Sequence, residues 1–180
     1  MFMSRKNFVI KTQRLTLRPS TPDDLESTHE YASDIENTKY MIYLPNETIE
    51  ETKSFLERVA AEWQKDEPYF YEYAIILNKK HIGAVSASLD ENREGCELGW
   101  IIHKDYQGKG YAFEAAKAVV DFAVNELNVK KIYACCDFRN EPSFRLMEKL
   151  GLSLESDSGT RRYKNTKEDI QELMYSLKLN

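Results

Sequence analysis

The sequence has no long apolar run and few cysteines. No apolar stretch among its 180 residues approaches the roughly 20 residues that span a bilayer. The first fifteen residues lack the apolar region and cleavage site of a secretory signal. Cys96, Cys135 and Cys136 have neither disulfide-framework nor zinc-site spacing, which indicates a reducing compartment. We therefore expect a cytoplasmic protein with no membrane partner and no metal site.

A strong charge of one sign is also missing. The net charge is -5, and residues of both signs are interspersed along the chain. Nucleic-acid-binding domains normally present a basic face, so nucleic acid is not expected as the main partner. With 42% apolar and 31% charged residues, the composition is that of an ordinary globular protein. We expect a single domain over residues 1–180.

Hydrophobic periodicity predicts the order of helices and strands. Alternating residues predict an early strand before Pro19, and helical spacing predicts two helices, which begin near Thr21 and at Asn46 or Thr48. After Pro68 come three β-rich runs, "YFYEYAIIL", "HIGAVSASL" and "CELGWIIH", the first two joined by a hairpin at "NKK". A helix over residues 113–127, the strand "KKIYACCDF", the helix "NEPSFRLMEKLG" and strand-like patches in the tail follow. This order predicts an α+β fold with a mostly antiparallel sheet.

Gly108 and Gly110 flank Lys109 directly before the helix over residues 113–127. The stretch matches neither the P-loop nor the dinucleotide-binding glycine pattern. The first amides of a helix have no intrahelical acceptors and carry partial positive charge, and glycine lets a ligand approach the backbone closely. By itself the stretch predicts either a bare turn or a phosphate site.

The surrounding residues favour the second interpretation. Gln107-Gly108-Lys109-Gly110-Tyr111-Ala112 resembles the acetyl-coenzyme A signature of the GNAT superfamily of N-acetyltransferases, Gln/Arg-x-x-Gly-x-Gly/Ala. "ELGWIIHKDYQGKGYAFEA", "DFRNEPSFRLMEKLGL", "TQRLTLRPSTPDDL" and "LPNETIEETKSFLERV" are similar to its RimJ/RimL-type branch, which includes ribosomal-protein N-terminal acetyltransferases. The resemblance implies the GNAT acyl-CoA N-acyltransferase fold, with its core at about residues 12–177. In that fold a mixed, mostly antiparallel sheet has splayed central parallel strands and is flanked by helices.

The resemblance also implies a coenzyme site. The pantetheine would enter between residues 96–103 and 130–137 and pair with backbone near Ile101 and Ile102. The pyrophosphate would lie on amides of residues 107–112, with Lys109 either adding a point charge or remaining a solvated loop residue. Gln107 stands where many relatives carry arginine, so that charge is lost. In the motif "NEPS", Asn140 would lie near the coenzyme.

The implied reaction is direct attack of an amine on the acetyl thioester. A backbone amide near Ile102 would stabilise the developing oxyanion, worth roughly 3 kcal/mol. By resemblance, Ser143 would hydrogen-bond the sulfur, although Asn140 and Ser143 also suit a helix N-cap and a first turn. Glu97 is the candidate base, with a partly exposed sheet acid as the alternative reading. His81 and His103 are further candidates, but surface or packing roles are more typical of them.

The pKa of the acceptor amine bears on which class of acceptor the protein would use. At pH 7.5, neutralising a model α-amine costs about 0.4 kcal/mol and neutralising a lysine about 4 kcal/mol. The sequence offers Glu97 as its one candidate acid for taking up the proton. A protein N-terminal α-amine, which loses its proton more easily, is therefore favoured over a small amine such as a polyamine or an antibiotic-like compound. A non-catalytic acyl-CoA sensor is a further alternative. Tyr40, Tyr43, Trp63, Tyr69 and Tyr71 are candidates for the acceptor groove or for core packing, and the family suggests a monomer or homodimer.

Overall fold

The structure is a computed structural model that describes residues 8–164 and 166–179. Eight strands form one sheet: β1 Ile10–Lys11, β2 Leu15–Pro19, β3 Phe70–Leu77, β4 Lys80–Leu89, β5 Gly95–Ile102, β6 Lys131–Asp137, β7 Ser153–Arg161 and β8 Ile170–Lys178. Five α-helices accompany them: α1 Leu25–Ala32, α2 Ile35–Thr38, α3 Ile49–Trp63, α4 Tyr111–Asn125 and α5 Glu141–Lys149. Short 3-10 turns cover Pro22–Asp24 and Lys104–Tyr106. None of the described helices is both long and apolar enough to cross a bilayer.

The strands follow the order β1-β2-β3-β4-β5-β6-β8-β7. Every neighbouring pair is antiparallel except β5 and β6, which run parallel. These two strands pair only where Gly95, Cys96 and Glu97 face Lys131, Ile132 and Tyr133, and they separate beyond that point. The mostly antiparallel mixed sheet and its splayed central strands are therefore confirmed.

The two faces of the sheet are covered by different helices. Leu17, Tyr73 and Val85 are buried on the face that packs against Val119 of α4. Because side chains alternate along a strand, Glu72 of β3 points to the opposite face, which α1 and α3 cover. The core lies mainly between the sheet and α4. On the opposite face a cavity remains between the sheet and the helices.

Local sequence signals explain several boundaries. In α4, Ala115, Ala116, Val119 and Ala123 are buried at helical spacing. The "NKK" hairpin is a two-residue turn in which Asn78 and Lys79 have φ of 48° and 69°, the signs of a type I′ turn.

Three features of the fold differ from the expectation. The short elements β1 and α2 were not predicted, because two to four residues carry no measurable periodicity. The predicted tail patches form one continuous strand, β7. Its weak alternation does not predict a full strand, but pairing with β8 stabilises one. Helix α4 begins at Tyr111, two residues before the predicted start.

Candidate active site

A cleft of about 680 Å³ opens where β5 and β6 separate. The N-terminal ends of α4 and α5 border it, and residues of α2 and of the following connection line its other side. Nine of the predicted coenzyme-site residues line this cleft: Ile101, Ile102, Gln107, Gly108, Gly110, Tyr111, Ala112, Asn140 and Ser143. Lys109 and the predicted base Glu97 do not line it. The structure thus brings predicted residues from three separate sequence segments together at one opening.

The loop before α4 presents free backbone donors. Gly108 and Gly110 have φ of 71° and 81°, and no side chain caps α4. The amides of residues 108–112 donate to no acceptor among the described residues. The Gln107 amide donates to the Lys104 carbonyl at 3.3 Å, so the free run begins one residue later than predicted. Five unpaired N–H groups at a helix N-terminus form an anion-binding cradle.

Side chains hold this loop in place. The side-chain nitrogen of Gln107, Nε2, donates to the Ile102 carbonyl at 2.9 Å and to the Asn37 side-chain oxygen at 3.0 Å. Gln107 therefore ties the loop to the end of β5 and to α2. The ammonium of Lys109 donates to the Asp105 carbonyl at 2.8 Å, so its charge is engaged within the loop.

Arg14 supports the same loop from the strand side, and sequence reasoning missed it. Its guanidinium donates to Glu114 at 2.6 Å and to the Lys109 carbonyl at 3.0 Å. It also lies 4.5 Å from the centre of the Tyr111 ring. No local pattern signals this contact, because the partners are 95 and 100 residues away from Arg14 in the chain.

The edge of β5 that faces the cleft carries backbone groups that no strand pairs, although the Ile102 carbonyl among them accepts from the Gln107 side chain at 2.9 Å. The His103 amide donates to the Ile82 carbonyl on β4 at 2.8 Å. Backbone groups alternate in direction, so Ile101 turns its N–H and C=O toward β4, whereas Trp100 and Ile102 turn theirs toward the cleft. The predicted pantetheine contact at Ile102 fits this geometry. The predicted contact at Ile101 stays a prediction; its N–H and C=O face β4, and the neighbouring Trp100 turns its own backbone groups toward the cleft.

Asn140 and Ser143 lie at the start of α5, on the cleft wall. Asn140 occupies the N-cap position, but its side chain makes no capping hydrogen bond. Its carbonyl accepts from the Ser143 amide at 3.0 Å. The alternative reading of Asn140 as a side-chain cap is therefore not what the structure shows. Cys136 lines the same wall, and burial raises the pKa of its thiol to about 11, so it stays protonated at neutral pH.

The same wall is basic. Arg139, Arg145, Lys149 and Arg161 line the cleft, while Glu36 is the only acid among the described residues that do so. Arg139 and Arg161 are held by ion pairs to Asp137 at 2.6 Å and Glu172 at 2.9 Å. Arg145 is paired with Glu148 at 3.0 Å. Sequence reasoning missed this wall. The four-residue spacing of Arg145 and Lys149 on α5 was the available signal.

A second cavity, of about 630 Å³, lies on the opposite side of β5. It is enclosed by α1, the α2–α3 connection, α3 and the sheet face that carries Glu72 and Ser86. The two cavities share five lining residues: Met41, Ile42, Gly99, Trp100 and Ile101. They therefore meet at β5.

The aromatic candidates separate into different roles. Tyr43 lines the second cavity and Tyr40 lines the cleft. Trp63, Tyr69 and Tyr71 line neither, and Trp63 packs against Tyr71 with ring centres 5.3 Å apart. For Trp63 and Tyr71 the packing alternative describes the structure, whereas Tyr69 is 43% exposed and its ring centre lies 4.7 Å from the Arg93 guanidinium.

Glu97 and the histidines lie away from both cavities. Glu97 sits at the paired end of β5, where burial and then the charge of Glu172 raise its pKa. His81 is fixed by Ser27 and the Gly83 carbonyl at 2.8 Å each, and burial lowers its pKa. His103 accepts from the Asp105 amide. The histidines thus have structural contacts, and a catalytic role for Glu97 stays a prediction.

Among the described residues, no group of three or more His, Cys, Asp or Glu side chains is placed to hold a metal ion. The cleft instead combines free amides, an open strand edge and a basic wall. Coenzyme A carries a diphosphate, a further phosphate and an amide-containing arm, which these three features fit.

Comparison with known proteins agrees with this geometry. Residues 14–153 match the family described as acetyltransferase (GNAT) domain. The uncharacterised N-acetyltransferase YnaD of Bacillus subtilis (strain 168) is 32% identical over 150 residues, which cover 81% of this chain and 83% of that protein. The spermidine N(1)-acetyltransferase of Escherichia coli (strain K12) is 28% identical over 142 residues, 78% of this chain and 74% of that protein.

A solved structure extends the likeness to nearly the whole fold. RimL, a ribosomal L7/L12 alpha-N-protein acetyltransferase in complex with coenzyme A, matches with a TM-score of 0.82 at 17% identity and covers 95% of this chain and 98% of that chain. At that identity the likeness concerns the fold. The family match, the splayed strands and the free amides together lead to one conclusion: the chain belongs to the GNAT acetyltransferase family and is an acetyl-CoA-dependent N-acetyltransferase.

Proposed function

We propose that the protein transfers the acetyl group of acetyl-CoA to a protein or peptide N-terminal α-amine by direct attack, as a member of the RimJ/RimL-type branch. The observation that carries the proposal is the meeting of the two cavities at Gly99, Trp100 and Ile101. One cavity suits the coenzyme. The other leaves room for an acceptor on the far side of the same strand.

Within the cleft, each group has a task that follows from its position. The free amides of residues 108–112 bind the diphosphate, and the cleft-facing edge of β5 holds the pantetheine arm. The Ile102 or Trp100 amide donates to the carbonyl oxygen as negative charge develops there. Asn140 contacts the arm, and the Ser143 hydroxyl hydrogen-bonds the sulfur. Acetyl-CoA supplies the thioester carbon that the amine attacks.

The charge of the acceptor cavity favours an acceptor with one positive charge. Glu50, Glu51 and Glu72 line it together with one cation, Arg58. Glu51 is already paired with Lys164 at 3.0 Å. The two carboxylates of α3 are thus balanced by Arg58 and Lys164, and Glu72, whose pKa burial raises to about 8, becomes the one remaining negative charge when it loses its proton. A single ammonium matches this balance better than a polyamine with several charges.

The acceptor pKa supports the same choice. Model α-amines titrate near 7.8 and lysine amines near 10.4, so the neutral form of an α-amine is roughly 400-fold more populated at neutral pH. An enzyme without a strong base therefore reacts more readily with α-amines. A small amine is the competing acceptor, since a spermidine acetyltransferase is among the relatives.

The remaining expectations belong to the same proposal. They are one domain over residues 1–180, a cytoplasmic location, a monomer or homodimer, and no nucleic-acid or membrane partner. The net charge of -5 and the lack of a basic exterior stretch in the sequence support the absence of a nucleic-acid partner.

The test is a comparison of acceptors by thiol release from acetyl-CoA. The panel contains peptides with a free α-amine, the same peptides blocked at the N-terminus but carrying a lysine, and spermidine. We expect the highest kcat/KM with free α-amine peptides, and mass spectrometry should place the acetyl group on the first residue. A higher kcat/KM with spermidine would replace the proposed acceptor by a small amine.

Calorimetry with acetyl-CoA on the purified protein separates binding from transfer. Coenzyme binding without thiol release for any acceptor would support an acyl-CoA sensor. No binding at millimolar acetyl-CoA would refute the proposal altogether.

A further inference from the structure

Glu72 is a buried carboxyl group on the floor of the acceptor cavity. It lies on β3, in one cross-strand row with Ser86 of β4 and Gly99 of β5. All three residues line the cavity. Glu72 is only 9% exposed, and neither an ion pair nor a hydrogen bond joins its carboxylate to another described residue, so its oxygens face the cavity. A buried acid without a partner is costly and calls for a functional explanation.

The charged groups around Glu72 are engaged elsewhere. On β2 and the turn before α1, Arg18 is bound to Asp24 at 2.6 Å. On β4, His81 is fixed between Ser27 and Gly83. The titratable groups that line the cavity from the helices are Tyr31 of α1 and Glu50, Glu51 and Arg58 of α3. No internal ion pair therefore neutralises Glu72.

The position of Glu72 also fits the reaction geometry. Neighbouring strands lie about 4.8 Å apart, so the Cα atoms of Glu72 and Gly99 are separated by roughly 10 Å. Gly99 borders both cavities. A glutamate side chain extends toward an amine placed between the two residues, and the contact is direct or through one water.

We propose that Glu72 binds the acceptor ammonium and takes its proton before the attack. The inference rests on the proposed function and names its proton acceptor. One N–H bond of the ammonium breaks, and its proton passes to the Glu72 carboxylate. The amine lone pair then forms the C–N bond, the C–S bond breaks, and the sulfur leaves with the electron pair. A second proton leaves the nitrogen and ends on the sulfur as the thiol. Glu72 returns its proton to solvent.

Burial gives Glu72 suitable basicity. It raises the pKa of this carboxyl to about 8, close to that of a model α-amine. The pKa values of Glu72 and an α-ammonium are therefore nearly equal, whereas a lysine-type ammonium has a pKa about 2.4 higher and gives up its proton less readily. Glu97, which also has a raised pKa, lies outside the lining of both cavities.

The central experiment compares wild type with Glu72→Gln, which keeps the size of the side chain and removes its charge. We expect kcat/KM for a free α-amine peptide to fall roughly 100-fold or more, as for the loss of a general base. Acetyl-CoA affinity, measured by calorimetry, should stay within about twofold, because Glu72 lies outside the coenzyme cleft. The rise of wild-type kcat/KM with pH should become shallower in the variant.

Two further variants sharpen the comparison. Glu57→Gln removes a carboxylate from the exposed side of α3, where Glu57 is 57% exposed, and should leave activity unchanged. Glu97→Gln tests the competing base and should retain most of the activity. If Glu97→Gln loses transfer while Glu72→Gln retains it, the assignment to Glu72 is overturned.

A spectroscopic readout needs no acceptor. Infrared difference spectra across pH 5–9 should show a protonated carboxyl band that disappears near pH 8 in wild type and is missing in Glu72→Gln. The lack of such a band in wild type would overturn the inference. So would a variant with unchanged transfer and pH profile, or one that loses acetyl-CoA binding as well. Wild type that fails to bind acetyl-CoA would refute the proposed function itself, and the two failures are thereby distinguishable.

Discussion

Gly110 shows how much a single residue decides in this protein. It is the N-cap of α4 with φ of 81°, a conformation that strains most side chains but suits glycine and is tolerated by asparagine. A side chain there would stand over the free amides of the loop. The nearest obstacle to an added Cβ is the Arg14 guanidinium, 3.4 Å away and at the end of a flexible side chain.

At the residue scale we predict that Gly110→Glu abolishes acetyl-CoA binding without unfolding the protein. The new carboxylate would neutralise the helix N-terminus and repel the diphosphate. Calorimetry should show an affinity loss of at least 100-fold, while circular dichroism should show a folded protein. Gly110→Gln is the matched control, since it has a similar size and backbone cost and no charge, and it should keep most of the affinity. Equal binding by both variants would show that the diphosphate lies elsewhere.

At the scale of elements, β5 is the strand that separates and connects the two substrates. Its first three residues pair with β6, and the rest leave one edge open to the cleft. On the Glu72 face of this strand, Gly99 and Ile101 line the acceptor cavity. Gly99 stands where the two spaces meet, and a Cβ added there would lie 2.7 Å from the Ser86 hydroxyl oxygen. Glycine at this position keeps the junction open.

For this element we predict that Gly99→Ala raises the KM for the acceptor roughly tenfold, while acetyl-CoA affinity hardly changes. The methyl group points toward the acceptor side and forces the Ser86 side chain to move. Steady-state kinetics with a free α-amine peptide would measure the effect. The double variant Gly99→Ala/Ser86→Gly should recover part of the loss because the opposing oxygen is gone. An unchanged KM in the single variant would show that the acceptor does not pass Gly99.

At the scale of the whole molecule, the buried acid on the sheet has a cost. The folded-state pKa of Glu72, about 8, lies above its ordinary value of 4.5. Between these pH values the folded protein keeps a proton that the unfolded chain has lost, so this group lowers stability as pH rises. Asp137 acts in the opposite sense. Burial opposes its charge, but hydrogen bonds from Arg139 and Tyr163 hold its pKa below the usual range, so its contribution is lost as pH falls.

We therefore predict that Glu72→Gln is more heat-stable than wild type at high pH. The difference in Tm should be small near pH 5, grow toward pH 8 and then level off, reaching several degrees. For a chain of this size, 1 kcal/mol corresponds to about 2–4 °C. Thermal denaturation of both proteins across pH 5–9 would measure it. A difference in Tm that does not change with pH would contradict the raised pKa of Glu72. If Glu72→Gln gains stability and loses acetyl transfer, wild type gives up stability at this position in favour of activity.

The sequence by itself determined the long elements, the family and the loop of free amides, because periodicity, helix signals and the residues 107–112 are local patterns. Which distant segments lie together was decided only by the tertiary structure. The contact of Arg14 with the α4 loop, the basic wall and the row of Glu72, Ser86 and Gly99 join residues far apart in the chain. Glu72 in particular sits in an ordinary β-rich run, and nothing local marks it. Its chemistry arises from burial without a partner beside a cavity, and burial is a property of the packed molecule.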